Sequence, residues 1–435
     1  MQERHLPMPD AKSPVSKVTM LLGTAGCVVI SLISMTTGAA AHVKWFVTCN
    51  VADQPIPLEA VFTPILGVLV IVFVTVFYIA CQVELTPIGA TVSGILNRLT
   101  DTVNKRASDL LRAATAVSFA LLWANGSVIL TPELKGNAAW LSAIQVLIPI
   151  YLFGRATLPA AGAGILVLYG YSVAVYGVFH LLDYPVFPGL AIYFVLSVSQ
   201  RPALLRWRLD CLRWTVALSL LWPSMEKFVF PSWIAPIAAE HPELTLGFDV
   251  ATFITAAGVV EFGLAFALFW TPMVRRLAAL VLALILTSAT LDFGRIDGIG
   301  HMLIIVILIV VIADPGEKPV YCAQVLAPLT SAVALPAFIF LYSGAHSLYY
   351  GKSQTGLILF VSGAALLALI LAYLNGLFAF LSRLSATLAQ RMADVADQLI
   401  AANSNSIHRN KTDGLVNRAS RDLRDVSPIC LLEFH

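Results

Sequence analysis

The chain has 435 residues, 58% hydrophobic and 12% charged, against roughly 45–50% apolar and 25% charged in a soluble domain. Such a chain cannot cover itself with polar surface, and a formal net charge of +2 is too small to indicate a nucleic-acid partner. Six scattered cysteines (Cys27, Cys49, Cys81, Cys211, Cys322, Cys430) include no CxxC pair, which argues against a disulfide framework or a thiolate metal site.

The apolar residues fall into blocks of about 17–25 with few charges, the length that crosses a hydrocarbon core as a helix. Runs such as Met302 to Ala313 are unbroken, unlike the alternating strands of a membrane barrel. The pattern predicts an all-α, polytopic integral membrane protein of about twelve transmembrane helices. They fall roughly at 18–41, 61–82, 111–131, 138–154, 157–181, 186–200, 205–229, 249–272, 275–294, 298–313, 331–350 and 355–382.

The first segment follows Lys12 and Lys17 and ends in Gly38-Ala39-Ala40-Ala41, a pattern that a signal peptidase could cut. Its uncharged length favours a retained span, and residue 42 lies outside either way. The basic residues near span ends then collect on one side: Arg98, Lys105, Arg106 and Arg112; Arg155; Arg201, Arg206, Arg208 and Arg213; Arg275 and Arg276; Arg383 and Arg391. The enrichment of Lys and Arg in cytoplasmic loops puts that side, and both termini, in the cytoplasm. After the last span, Ser385 to Ile400 reads as a short helix and the rest as a flexible polar tail.

Two stretches share an order of features. One runs from Leu121-Leu122-Trp123 through Arg155, Asp183 and Gly189 to Arg201-Pro202. The other runs from Leu220-Leu221-Trp222 through Arg275-Arg276, Asp297 and Gly298 to Asp314-Pro315. Each holds four spans of the same orientation, the arrangement of a parallel tandem duplication. The domains expected are N-terminal spans and a cytoplasmic loop (1–110), a first four-helix repeat (111–202), a second (203–315), two C-terminal spans (316–384) and a cytoplasmic tail (385–435).

An ionisable residue at the centre of a span costs about 2.5–3.5 kcal/mol, so it usually faces the bundle interior and marks function. Glu261 is in this position, with Lys227, Arg275 or Arg276 as candidate partners. Glu226 and Lys227 close one span, and Asp292, Arg295, Asp297 and His301 cluster at another junction. A helix starting near Asp297 places Asp297 and His301 one turn apart on one face. There a carboxylate can orient an imidazole or both can ligate a cation. Gly294, Gly298 and Gly300 are expected to let backbones approach closely. The first repeat carries a thinner copy, His180 and Asp183, with no acid matching Glu261. His42, His241 and His346 also fall on the outer side. Imidazoles and carboxylates gathered there suit copper or zinc, with His42, His180 and His301 as candidate ligands.

Residues 212–314 resemble the DoxX-like superfamily of small four-span membrane proteins. The features are the basic start at Arg213, Lys227 at the first span's outer end, Glu261 followed by Gly263, and Arg275-Arg276-Leu277-Ala278-Ala279-Leu280 opening the third span. Ala41-His42-Val43-Lys44-Trp45-Phe46 also looks like a segment found ahead of such regions in bacterial membrane proteins. The resemblance implies two tandem DoxX-like bundles in a bacterial inner membrane and a quinone-linked redox protein or subunit with a redox partner. Its catalytic candidates are Glu261, Asp297 and His301, and its cofactor-side candidates Lys227, Glu226 and Asp292. A transporter or metal-handling protein and a non-catalytic assembly factor are the other readings. Besides membrane lipids, no partner is named by any motif.

Overall fold

A computed structural model describes residues 50–374 except 127, 317–320 and 352, together with 387, 390, 391 and 394. The expected first span, His42, and all but four residues of the tail lie outside the described residues. The chain divides into two compact units, 1–364 and 365–435. The following concerns the first.

It is all helix. Among the described residues there is no β-strand, only an isolated antiparallel bridge between Val128 and Lys135. The helices in order are α1 (Leu58–Val61), α2 (Pro64–Glu84), α3 (Pro87–Lys105), α4 (Ala107–Ala124), α5 (Ala139–Phe153) and α6 (Leu158–Tyr176). Then come α7 (Val178–Leu181), α8 (Val186–Leu196), α9 (Pro202–Ser224), α10 (Glu226–Val229) and α11 (Pro231–Glu240). Next are a short 3₁₀ turn (Pro242–Thr245), α12 (Val250–Ala267), α13 (Pro272–Phe293), α14 (Arg295–Ala313) and α15 (Tyr321–Tyr349). A last helix, α16, covers Gln354–Leu374.

Eight of these are long and apolar enough to cross a membrane: α2, α4, α6, α12, α13, α14, α15 (over Val325–Tyr349) and α16. The expected 138–154 and 186–200 become the shorter apolar helices α5 and α8. Two expected spans are interrupted. Gly177, at φ 89°, separates α6 from α7 within 157–181, and within 205–229 α9 ends at Ser224 and is followed by the one-turn α10. One helix was not expected. The inner loop around Arg98 is the amphipathic α3, started by Thr86, whose side-chain oxygen accepts from Gly89 N, and by Pro87 in the first turn.

Helix ends fall into two groups. At one end Arg112 Nε donates to the Leu152 carbonyl (2.7 Å), Arg208 Nη1 to Ser197 Oγ (3.4 Å) and Arg275 Nη2 to Asp314 (2.5 Å). At the other, Ile56 N donates to the Val229 carbonyl (3.0 Å), Trp233 Nε1 to Asp53 (3.2 Å), and His346 Nε2 lies 2.9 Å from the Val51 carbonyl. Successive long helices run between these ends, and Arg112, Arg208 and Arg275 lie at the same one.

The contacts have a two-part pattern. Helix α4 packs on α5, α5 on α6 and α6 on α8, while α9 packs on α12, α12 on α13 and α13 on α14. The two sets join reciprocally, with α8 against α9 and α14 against α4. Helices α2 and α15 lie against each other and against α12.

Candidate functional site

The site is built where α9 gives way, after Pro223 and Met225, to the one-turn α10. Both α9 and α10 pack on α12, and Lys227 Nζ lies 2.7 Å from Glu261 Oε2. Only 2% of the Lys227 side chain and 12% of that of Glu261 is exposed. The close approach needs Gly258, because a Cβ there would fall 2.7 Å from the ring of Phe228, the residue after Lys227. Gly263 does the same on the opposite flank of α12, where the Phe73 ring of α2 leaves no room for a side chain.

This selects one of the three partners open to Glu261. Arg275 is taken by Asp314. Arg276 is held by the Ile312 carbonyl (2.6 Å), Asn97 (2.6 Å) and Thr100 (3.2 Å), and so fastens α3 to the arginine-rich end.

Asp297 and His301 lie one turn apart on α14, as their spacing predicts, and both are wholly buried. The carboxylate Oδ1 and imidazole Nδ1 stand 2.9 Å apart, yet neither carboxylate oxygen accepts a hydrogen bond from a described residue. A buried acid held only by the charge of its neighbour is unusual, since nearly all buried polar groups are hydrogen-bonded. Glu226 stands next to Lys227 on α10, and the Asp297–His301 pair lies in the first turns of α14, toward the same end of the bundle. Glu226 in turn accepts from the hydroxyl of Tyr342 on α15 (3.1 Å). Glu226, Lys227, Glu261, Asp297 and His301 thus form one electrostatic cluster at the end remote from the arginines. The rings of Trp222, Phe179 and Phe230 pack around Tyr342.

Beside Glu261 is a void of about 20 Å³, lined by Ser219 and Pro223 of α9 and by Leu282, Ile285 and Leu286 of α13. It is large enough for about one water. Oε1 of Glu261 has no hydrogen-bond partner among the described residues.

Other expectations resolve differently. The side chain of Asp292 lies outside the described residues, and Arg295 is exposed. Gly294 and Gly298 do not mediate close packing, since a Cβ on either would meet nothing nearer than 4.0 Å. Gly294 is needed instead for its φ of 80° between α13 and α14. Of the proposed metal ligands, His42 is outside the description and His180 and His301 are held separately. Among the described residues no three His, Cys, Asp or Glu side chains converge as a ligand set. His241 is paired with Glu243 near the surface (3.1 Å).

His180 pairs with Glu133 (3.1 Å), which also accepts from the Tyr184 hydroxyl. Sequence reasoning passed over Glu133, though it is an acid in an outer loop of the repeat that holds His180. The polar residue of α5 is Gln145, whose amide donates to the carbonyls of Val128 (2.7 Å) and Ile129 (2.9 Å). The α4–α8 helices therefore have an acid–imidazole pair but, among the described residues, no counterpart of the Lys227–Glu261 pair.

Comparison of the chain with protein families, with curated proteins and with solved structures gives no match. The functional reading therefore rests on the cluster itself. Its two close pairs, Lys227–Glu261 and Asp297–His301, can each pass a proton internally with no change in net charge. What the arrangement offers chemically is a protected place to hold and move protons.

Proposed function

We propose that the chain is a DoxX-like integral membrane protein with two tandem four-helix bundles, whose second bundle exchanges a proton in support of a quinone-linked redox reaction. It acts in the bacterial inner membrane as a redox protein or as a subunit of one. The observation that carries the reading is the composition of the buried cluster. Fully ionised, three acids (Glu226, Glu261, Asp297) stand against Lys227 and the imidazolium of His301, leaving one uncompensated negative charge. Uptake of one proton makes the cluster neutral, which a water-poor interior favours. The void beside Glu261 gives that proton a water-sized relay point.

The wider architecture supports the same reading. Counting α5, α8 and α9 as crossings, because their ends alternate with those of the longer helices, brings the total with 18–41 to about twelve. The reciprocal α8–α9 and α14–α4 contacts support two copies related by an axis along the membrane normal. The arginine-rich end is cytoplasmic by the distribution of Lys and Arg, which leaves the proton cluster toward the outer face.

A quinone ring does not fit the void beside Glu261, so no step is routed through one bound there. This chain's residues hold and transfer the proton, and a partner in the membrane supplies the electrons. The test is pH-difference infrared spectroscopy of the purified protein. The expected result is a titrating carboxylic-acid band that disappears in Glu261→Gln and shifts in His301→Gln. Binding of a short-chain quinone analogue, measured in parallel, is expected to depend on pH in the wild type and not in Glu261→Gln. If no band titrates and the analogue neither binds nor responds to the substitution, the cluster is a static brace and the protein an assembly factor.

A further inference from the structure

A polar cavity lies at the other end, among the upstream helices. It measures about 300 Å³ and is lined by Ser108, Asp109 and Arg112 at the start of α4, Arg155 between α5 and α6, Ser197 at the end of α8, and Arg208 on α9. Three guanidinium groups face one carboxylate.

Two of the three are fixed in advance. Arg112 donates from Nε and Nη2 to the last carbonyls of α5, Leu152 (2.7 Å) and Phe153 (2.5 Å), and from Nη1 to Asp109 (3.3 Å). Arg208 lies over the ring of Tyr193, 5.4 Å from its centroid, and reaches Ser197 Oγ at 3.4 Å. Ser197 is buried and donates its own proton to the Tyr193 carbonyl (2.7 Å), which turns its oxygen toward accepting from Arg208. The guanidinium of Arg155 has no partner among the described residues and is exposed at the rim.

Helix packing does not require an arrangement like this. Arg112 and Arg208 are held by only part of their donors, the third cation is unused, and the space between them is open. Planar guanidinium forks are suited to bidentate binding of phosphate oxygens. A volume of this size is at the lower end of small-ligand sites and exceeds what a bare phosphate ion would fill.

We propose that this cavity binds the phosphoryl group of an organic phosphate, with Arg112 and Arg208 as the preformed seat and Arg155 as the closing contact. Two sources present that chemistry at this end of the bundle: the headgroup of an anionic phospholipid, and a soluble phosphate ester. Purified full-length protein in neutral detergent would be titrated with phosphatidylglycerol, read by native mass spectrometry, and with glycerol 3-phosphate, read by calorimetry. Arg155→Gln removes an exposed, unpartnered group and leaves the fold intact, and Arg208→Gln removes part of the seat. Each is expected to weaken binding about tenfold or more, the loss of one charge-assisted contact.

Saturable binding of the lipid alone, weakened in both variants, identifies a headgroup site. Saturable binding of glycerol 3-phosphate that displaces the lipid identifies a soluble ester. Absence of saturable binding in both titrations, or equal binding by wild type and Arg155→Gln, overturns the proposal.

Discussion

Replacing Lys227 by Met removes the cation from a pair whose atoms are 2.7 Å apart and almost wholly buried. At an effective dielectric of about 20 that separation corresponds to an attraction of about 6 kcal/mol, part of which offsets the desolvation of both groups. Breaking such a pair from one side costs about 3–5 kcal/mol, because the remaining charge is buried without its counterpart. Glu261→Gln breaks the pair from the other side and is expected to cost a similar amount. The double variant Lys227→Met with Glu261→Gln leaves no orphaned charge and should lie much closer to the wild type, with a coupling energy of about 2 kcal/mol or more. Unfolding in mixed micelles by increasing denaturing detergent, followed by circular dichroism, gives all four stabilities. If the double variant loses the sum of the single losses to within about 0.5 kcal/mol, the two residues do not interact and the reasoning fails.

Gly258→Ala should destabilise by about 1–3 kcal/mol and weaken the Lys227–Glu261 coupling, since its Cβ would meet the Phe228 ring. Gly67→Ala, at a helical site with nothing within 4 Å of the new atom, should be neutral or stabilising by up to about 1 kcal/mol in the same assay. Arg276→Lys cannot span the Ile312 carbonyl, Asn97 and Thr100 together. It should cost about 3 kcal/mol and raise hydrogen exchange along α3 before the rest of the bundle. Asp249 caps α12 by accepting from Thr252 N (3.0 Å), and hydrogen bonds to Thr252 hold its carboxyl below the usual carboxylate range. A depressed folded value means the cap stabilises fully above about pH 4 and is lost as pH falls through that value. Exchange at the Thr252 amide should therefore accelerate only in acid, and a rate with no such acid onset would contradict the capping role.

Where the sequence was legible, it was so because lipid imposes a simple rule. Glu261 is conspicuous in a long uncharged run, and the four-residue spacing of Asp297 and His301 needs no tertiary information to be read as one helix face. The partner of Glu261 was not legible among three cations. Lys227 reaches it from α10, a one-turn helix that hydropathy averages into the preceding span. Tyr342, 116 residues from Glu226, gave no periodic signal at all. The α3 helix was missed because its charges lowered the apolar average, although Thr86-Pro87 is a helix-start signature and could have revealed it.

Helices α2 and α15 lie against α12, and α15 meets the upstream half chiefly at α7. Among the described residues they therefore cover the α9–α14 half far more than the α4–α8 half. The covered half holds Lys227 with Glu226, Glu261 and Asp297 in its interior, whereas the other buries Asp183, holds the Glu133–His180 pair and carries on α5 an amide, Gln145, that donates to the Val128 and Ile129 carbonyls. On this reading α2 and α15 shelter the Lys227–Glu261 pair, and stripping them away should open that pair to its surroundings before it costs the remaining helices their packing.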